Sequence, residues 1–210
     1  MNKKTDRFSR GGFTLAELLV AMVITGIILG SAVGMAYAMG NANDSSDDAR
    51  LKQAQVRYAT LRICDLIRQC KLVCSSHSSD IAVWRADDNR DGKMNAGEVV
   101  YLDKGEGSNY LRINEISSPS ILGLQIGQIA AVTTPWWVAM NGSMESTMLI
   151  PQCSNVQFIL DAAAPYTKCV TILFDMTEEG VVRHYQISET LRCWAGNMLN
   201  GGNIVSSDDD

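Results

Sequence analysis

The 210-residue sequence has little of what most enzymes use to build a site. Its two histidines, His77 and His184, lie far apart, and no nucleophile elbow, phosphate loop or dinucleotide fingerprint is present. Catalysis is therefore not expected. None of the six cysteines forms a CxxC pair, which removes the usual zinc framework. Basic charge is also short, with 18 Lys and Arg against 23 Asp and Glu and a formal net charge of -5. Nothing neutralises phosphates in bulk, so no nucleic-acid partner is indicated. Only four prolines and 7% aromatic residues accompany a 46% hydrophobic content, which describes one globular domain, or one domain plus an appendage, rather than wholesale disorder.

The charge that is present is unevenly placed. Residues 1–12 hold Lys3, Lys4, Arg7 and Arg10 against Asp6, a sum of +3, whereas residues 13–210 sum to -8. Between Phe13 and Met39 the only ionisable side chain apart from Tyr37 is Glu17. The 22 uncharged residues from Leu18 to Met39 would make about 33 Å of helix, enough to cross a bilayer core of about 30 Å. Basic residues before the run and acidic ones after it predict a cytoplasmic N-terminus and an exported body over residues 41–210. Three fates compete for this segment: a secretory signal cut at Ala36-Tyr37-Ala38, a permanent anchor, or a specialised precursor. The run is longer than a usual signal core, and a signal does not explain a carboxylate near its start.

The residues that remain to be explained are Gly11-Gly12, then Phe13-Thr14-Leu15-Ala16-Glu17, then Leu18-Leu19-Val20. This start resembles that of type IV pilins and type II secretion pseudopilins. The resemblance implies removal of leader 1–12 by prepilin peptidase between Gly12 and Phe13, with methylation of the new Phe13 amine. It also implies that Glu17 draws in the N-terminal amine of a neighbouring subunit. Physics agrees that such a residue needs a partner, since a charge inside a membrane helix costs about 2.5–3.5 kcal/mol on insertion scales. Snorkelling of Glu17 to the headgroups is the plain alternative. The family further implies pilin or pseudopilin partner subunits, an inner-membrane assembly platform, and a single-pass bacterial inner-membrane stage before assembly. Gly26, Gly30 and Gly34 line one helix face and would let another helix approach closely. Many pilins carry proline where this chain has Gly34.

Past the polar stretch Asn41 to Asp48, apolar residues return at helical spacing: Val56, Ala59, Ile63, Leu66, Ile67, Cys70, Val73 and Cys74. This predicts a long N-terminal helix, with residues 13–40 as its membrane and assembly half and an interruption near Asn43–Ser46. From Ile81 the pattern turns to strands, with candidates at 81–85, 99–103, 110–116, 156–161, 169–175 and 181–188. The order is α+β, a pilin-like helix packed on an antiparallel β-sheet head. Residues 118–150 are ambiguous, since Ile121–Val132 fits a helix or a strand and Thr134-Pro135 interrupts it. Of Trp136 and Trp137, one ring is expected in the core and the other half-buried, rather than both in an exposed patch. The segment from Asn155 to Arg192 is similar to the end of the J-type minor pseudopilins, which implies a minor subunit.

The sharpest chemical pattern spans residues 87–98. Asp87, Asn89 and Asp91 take positions 1, 3 and 5 of a twelve-residue EF-hand-type loop, and Gly92 falls at the sharp turn. Lys93 offers its carbonyl, Asn95 takes the ninth position and Glu98 is the terminal bidentate ligand. Hard oxygen donors suit Ca²⁺. The flanks favour strands, so the expectation is a structural calcium clip at the end of a β-hairpin, with a metal-free acidic turn as the alternative.

In an exported body, Cys64, Cys70, Cys74, Cys153, Cys169 and Cys193 are disulfide candidates, with fifteen complete pairings. A hairpin over 156–175 would separate Cys153 from Cys169, which favours bridges from the helix to the sheet. The functional expectation is a pilin-like filament subunit. Its rival is a membrane-anchored, calcium-binding adhesin or binding module.

Overall fold

Helical spacing followed by strand alternation becomes one long helix followed by antiparallel sheets. The computed structural model describes residues 12, 14–105, 107, 109–178, 180–194, 199–200 and 204–205. Residues 1–11 and Phe13, which carry the expected leader and methylation site, lie outside the described residues. Two compact units divide the chain, residues 1–48 and 49–210. Helix α1 (Leu15–Gln69) runs without a break from the first into the second, so the interruption expected near Asn43–Ser46 does not occur.

From Leu18 to Met39 the helix is apolar on every side. Every large apolar side chain from Leu15 to Met39 is at least half exposed. Each would gain about 1.5–3 kcal/mol from leaving water, and a helix apolar all round belongs in lipid or among other helices. An 18-residue window of α1 reaches a mean hydropathy of 2.3, long and apolar enough to cross a membrane. Its hydroxyls suit that setting, because Thr25 donates to the Ala21 carbonyl at 2.7 Å and Ser31 to that of Ile28 at 2.8 Å.

The second unit holds the sheets. A five-stranded meander runs in the order β1 (Leu72–Ser76), β2 (Asp80–Trp84), β3 (Val99–Asp103), β4 (Leu111–Ser117) and β5 (Ser143–Ile150). A second meander follows with β6 (Ser154–Leu160), β7 (Cys169–Glu178) and β8 (Val181–Thr190), and a short hairpin pairs β9 (Leu199–Asn200) with β10 (Ile204–Val205). The architecture is α+β and pilin-like.

Burial explains the layering. Ala59, Ile63, Leu66, Ile67 and Cys70 of the helical face join one core with Val83, Val100 and Leu102 of the larger sheet and Val170, Ile172 and Phe174 of the smaller. The opposite face of the larger sheet carries Leu72, Cys74, Ala82, Trp84 and Tyr101, covered by Leu124, Ile126, Ile129 and Trp137 from the β4–β5 connection. Strands β2 and β3 are thus buried on both faces, which is why they read as continuous rather than alternating apolar runs.

Two elements differ from the sequence reading. Val73 and Cys74 continue the helical spacing, yet α1 ends at Gln69 and both residues lie in β1. The Lys71 N–H donates to the Trp84 carbonyl at 2.9 Å, so pairing with β2 takes over from the helical ladder. In the ambiguous region, Ile121–Val132 is neither a long helix nor a strand. Its one short 3-10 turn, Ile126–Gln128, is followed by a second, Trp136–Met140, before β5 begins. Trp137 is buried and Trp136 half-buried, their rings edge to face at 6.2 Å, with Trp136 Nε1 donating to the Tyr101 hydroxyl at 2.7 Å.

Candidate functional site

At the start of α1, Thr14 and Glu17 form a reciprocal pair. Glu17 Oε2 accepts from the Thr14 N–H and from the Thr14 hydroxyl, both at 2.9 Å, while the Glu17 N–H donates to Thr14 Oγ1 at 3.3 Å. This T-x-x-E arrangement is a capping box, which satisfies backbone donors that the first helical turn leaves orphaned. Sequence reasoning assigned Glu17 but overlooked Thr14, although the three-residue spacing is itself the signal. Gly12 is exposed with open space around its Cα.

The acidic loop joins β2 to β3, whose register pairs Trp84 with Val99, so it does cap a β-hairpin. Asp87 accepts from the Asp91 N–H at 3.1 Å and from the Gly92 N–H at 3.0 Å. Asn89 Oδ1 accepts a second bond from the Asp91 N–H at 3.1 Å, and Asp91 accepts from the Lys93 N–H at 2.8 Å. The chain turns sharply at Gly92, whose φ of 70° is left-handed and suits glycine. Asn95 is buried, and its amide nitrogen lies 3.2–3.4 Å from both Asp91 carboxylate oxygens and 3.3 Å from the Lys93 carbonyl. Asp87, Asn89, Asp91, the Lys93 carbonyl and Asn95 are therefore brought together. Burial alone would raise the Asp91 carboxyl, but the Lys93 N–H, the Asn95 and Asn89 amides and the Lys93 charge outweigh it and hold it below the usual carboxylate range.

Glu98 is placed differently. Its Oε2 accepts from Trp84 Nε1 at 3.1 Å and from the Asn95 N–H at 3.0 Å, and its Oε1 accepts from the Asp88 N–H at 2.9 Å. It ties the two ends of the loop to the sheet, leaving one acceptor direction on Oε1 unused. Lys71 Nζ stands 3.8 Å from Asp87 Oδ2 and 4.9 Å above the Trp84 ring, a cation supplied by the chain itself. Among the described residues no three His, Cys, Asp or Glu side chains gather as a metal centre. The cluster is instead a mixed set of carboxylate, amide and carbonyl oxygens. One observation at the site points outward: the buried Asn95 Oδ1 has no hydrogen-bond partner. Trp84 and Lys71 carried no signal in the loop's own sequence, since sheet pairing alone brings them there.

No bridge joins any two of the six cysteines in this structure. Cys169 faces Asp161, whose N–H donates to the Cys169 carbonyl, and Ser154 pairs with Asp175, so Cys153 and Cys169 sit at opposite ends of the β6–β7 hairpin. The histidines support no catalytic pair. His77 contacts Asp80 at 3.0 Å, but Ser79 donates to that same Asp80 at 2.7 Å rather than to the imidazole. Exposed His184 pairs with Asp175 at 2.5 Å.

Residues 7–33 match the family model for the prokaryotic N-terminal methylation motif. The match spans Gly12, Phe13, Glu17 and the glycine-spaced run as far as Val33, and it is consistent with the type IV pilin and pseudopilin family. Comparison with curated proteins and with solved structures finds no match.

Proposed function

We propose, for a chain that carries the prokaryotic N-terminal methylation motif ahead of a pilin-like α+β fold, that it is a minor pseudopilin-type subunit of a type II secretion or type IV pilus filament. The motif supports a pilin-like subunit processed by prepilin peptidase, and suggests a structural rather than an enzymatic role. It implies assembly with other pilin subunits, and with the apolar helix it is consistent with a membrane-anchored pilin. The finer reading rests on one observation: an all-round apolar helix that opens on a single capped carboxylate.

In this account removal of leader 1–12 exposes an amine on Phe13, four residues before Glu17. Glu17 then exchanges its Thr14 donors for the amine of a neighbouring subunit, which offsets the cost of carrying both charges into an apolar filament core. The helix leaves the bilayer with the head outside the inner membrane, drawn by the assembly platform.

Calcium is part of the same proposal. Asp87, Asn89, Asp91, the Lys93 carbonyl and Asn95 would hold the ion, with Glu98 turning one oxygen away from its N–H donors. The donor set fits, because exchanging the ends of the Asn95 amide would aim its unpartnered oxygen at Asp91 and the Lys93 carbonyl. That grouping of oxygens calls for a cation. Bound there, calcium would supply charge neutralisation and would stiffen the hairpin. The rival, a calcium-binding module held by an uncleaved anchor, shares the loop and differs in fate. Recovery of the chain in a sheared filament fraction supports the subunit reading, and its retention in the inner membrane under conditions of assembly supports the rival.

A further inference from the structure

The segment that leaves β8 returns to the end of α1. The Arg192 N–H donates to the Arg68 carbonyl at 3.2 Å, and the Leu191 N–H to the Lys168 carbonyl at 2.9 Å. Leu191 is buried in the helix-facing core, and Trp194 packs on both cores with Lys168 Nζ 4.1 Å from its ring centroid. Cys193 is therefore held between two anchored neighbours, one residue beyond a backbone bond to the last turn of the helix. Cys70, fully buried, directly follows that turn, and its N–H still bonds to Leu66 at 2.9 Å.

We infer that Cys70 and Cys193 are a disulfide pair that fastens the end of α1 to the exit of β8. Burial pushes the Cys70 thiol up to about 12, and the proximity of Cys193 pushes it in the same direction. The other cysteines are placed elsewhere. Cys74 is also near enough for Cys70 to help burial raise its thiol, but it lies in the core on the opposite face of the larger sheet, its Sγ 3.4 Å from Met94 Sδ. Cys64 sits beside Glu189, which helps burial raise its thiol. Cys169 alternates with buried Val170 and so points away from the helix, and the Cys153 N–H bonds to the Asn109 carbonyl, which places it beside the β3–β4 connection rather than at the exit of β8.

Exposure sets the order of the chemistry. Cys193, the exposed partner, attacks a disulfide-bearing oxidant, forming a mixed disulfide and releasing one oxidant thiol. Cys70 then attacks the Cys193 sulfur, its proton passing to the second oxidant sulfur, which leaves as a thiol. Two protein thiols are oxidised and one oxidant disulfide is reduced, so atoms and electrons balance. The closed loop encloses residues 71–192, which hold all of both main sheets, and long loops gain most from closure in the chain-entropy account. This pairing relies on the proposed function only for the compartment in which the oxidant is met.

The test uses the full-length chain, purified in detergent and equilibrated with oxidised glutathione, so it does not depend on leader cleavage or assembly. After thiol blocking and non-reducing digestion, trypsin separates Gln69-Cys70-Lys71 from the Cys74 peptide, and Cys193 begins the C-terminal peptide 193–210. The pairing predicts one species joining these two peptides, split by reduction with a gain of two hydrogens. In Cys193→Ser, Cys70 should become fully alkylatable on denaturation, and the oxidised wild type should melt at higher temperature than the variant. Cys70 joined to any other peptide, Cys70 and Cys193 both alkylated in the oxidised wild type, or Cys70 still blocked in Cys193→Ser overturns it.

Discussion

Glu17 accepts two hydrogen bonds from Thr14 across the first turn of α1, so the carboxylate proposed for subunit docking is already engaged as a helix cap. An isolated subunit can thereby keep the charge hydrogen-bonded near the membrane interface, and assembly becomes an exchange of partners rather than the pairing of a bare ion. The exchange favours a cationic amine, because charge-assisted hydrogen bonds are roughly twice as strong as neutral ones.

Substitution separates capping from charge. Glu17→Ala should leave membrane insertion intact and strongly reduce the share of chain in a sheared filament fraction. Glu17→Gln keeps an acceptor for Thr14 but has no charge, and it should incorporate as poorly as Glu17→Ala. Incorporation of Glu17→Gln at the wild-type level would remove the ion-pair role.

Calcium should raise the melting temperature of the full chain in detergent by mass action, with the shift developing over about 0.1–1 mM, the range of extracellular modules. Asp91→Ala removes the carboxylate that the Asn95 amide and the Lys93 N–H converge upon, and should abolish the shift. An unchanged melting temperature in calcium would leave the loop a hydrogen-bonded turn.

The packed face of α1 should be far more sensitive than its open one. Ile63 is fully buried, so Ile63→Ala should cost about 2–5 kcal/mol in denaturant unfolding. Leu61, 64% exposed, should change stability by about 0.5 kcal/mol or less when replaced by alanine. Equal losses at the two positions would contradict the assignment of the buried face.

The β6–β7 turn gives a pH signature. The Cys169 N–H at 3.0 Å and the Lys168 N–H at 2.9 Å hold the Asp161 carboxyl below its usual value. Its folded pKa is depressed, so its contribution is fully present above the unfolded value of about 3.9 and is lost as pH falls through the folded value. Asp161→Ala should therefore lower the melting temperature at pH 7, with the difference from wild type shrinking as pH falls below about 3.9. A constant difference across that range would assign the effect to packing.

Much of this was legible because it is local. The apolar run, Glu17, the loop spacing, the continuous apolar stretch at 99–103 and the strand at 181–188 declare themselves through charge, turn chemistry and β-type residue pattern. What was hidden depends on distant partners. Val73 and Cys74 fit a helix until Trp84 claims the Lys71 N–H, and the tryptophan that reaches Glu98 lies outside the loop. The 118–142 connection has no period of its own. It is fixed by the buried Asp80 carboxylate accepting the Val132 N–H at 3.1 Å and by the Tyr101 hydroxyl donating to Ala130 at 2.7 Å.

The central claim is processing at the start of the motif, and the mass of the N-terminal peptide of the mature protein tests it most directly. Cleavage after Gly12 leaves Phe13 as the first residue, and methylation adds one methyl group to its amine. A chain that begins at Met39 would instead report ordinary signal cleavage, and one that begins at Met1 or Asn2 an uncut anchor. Either would contradict the account.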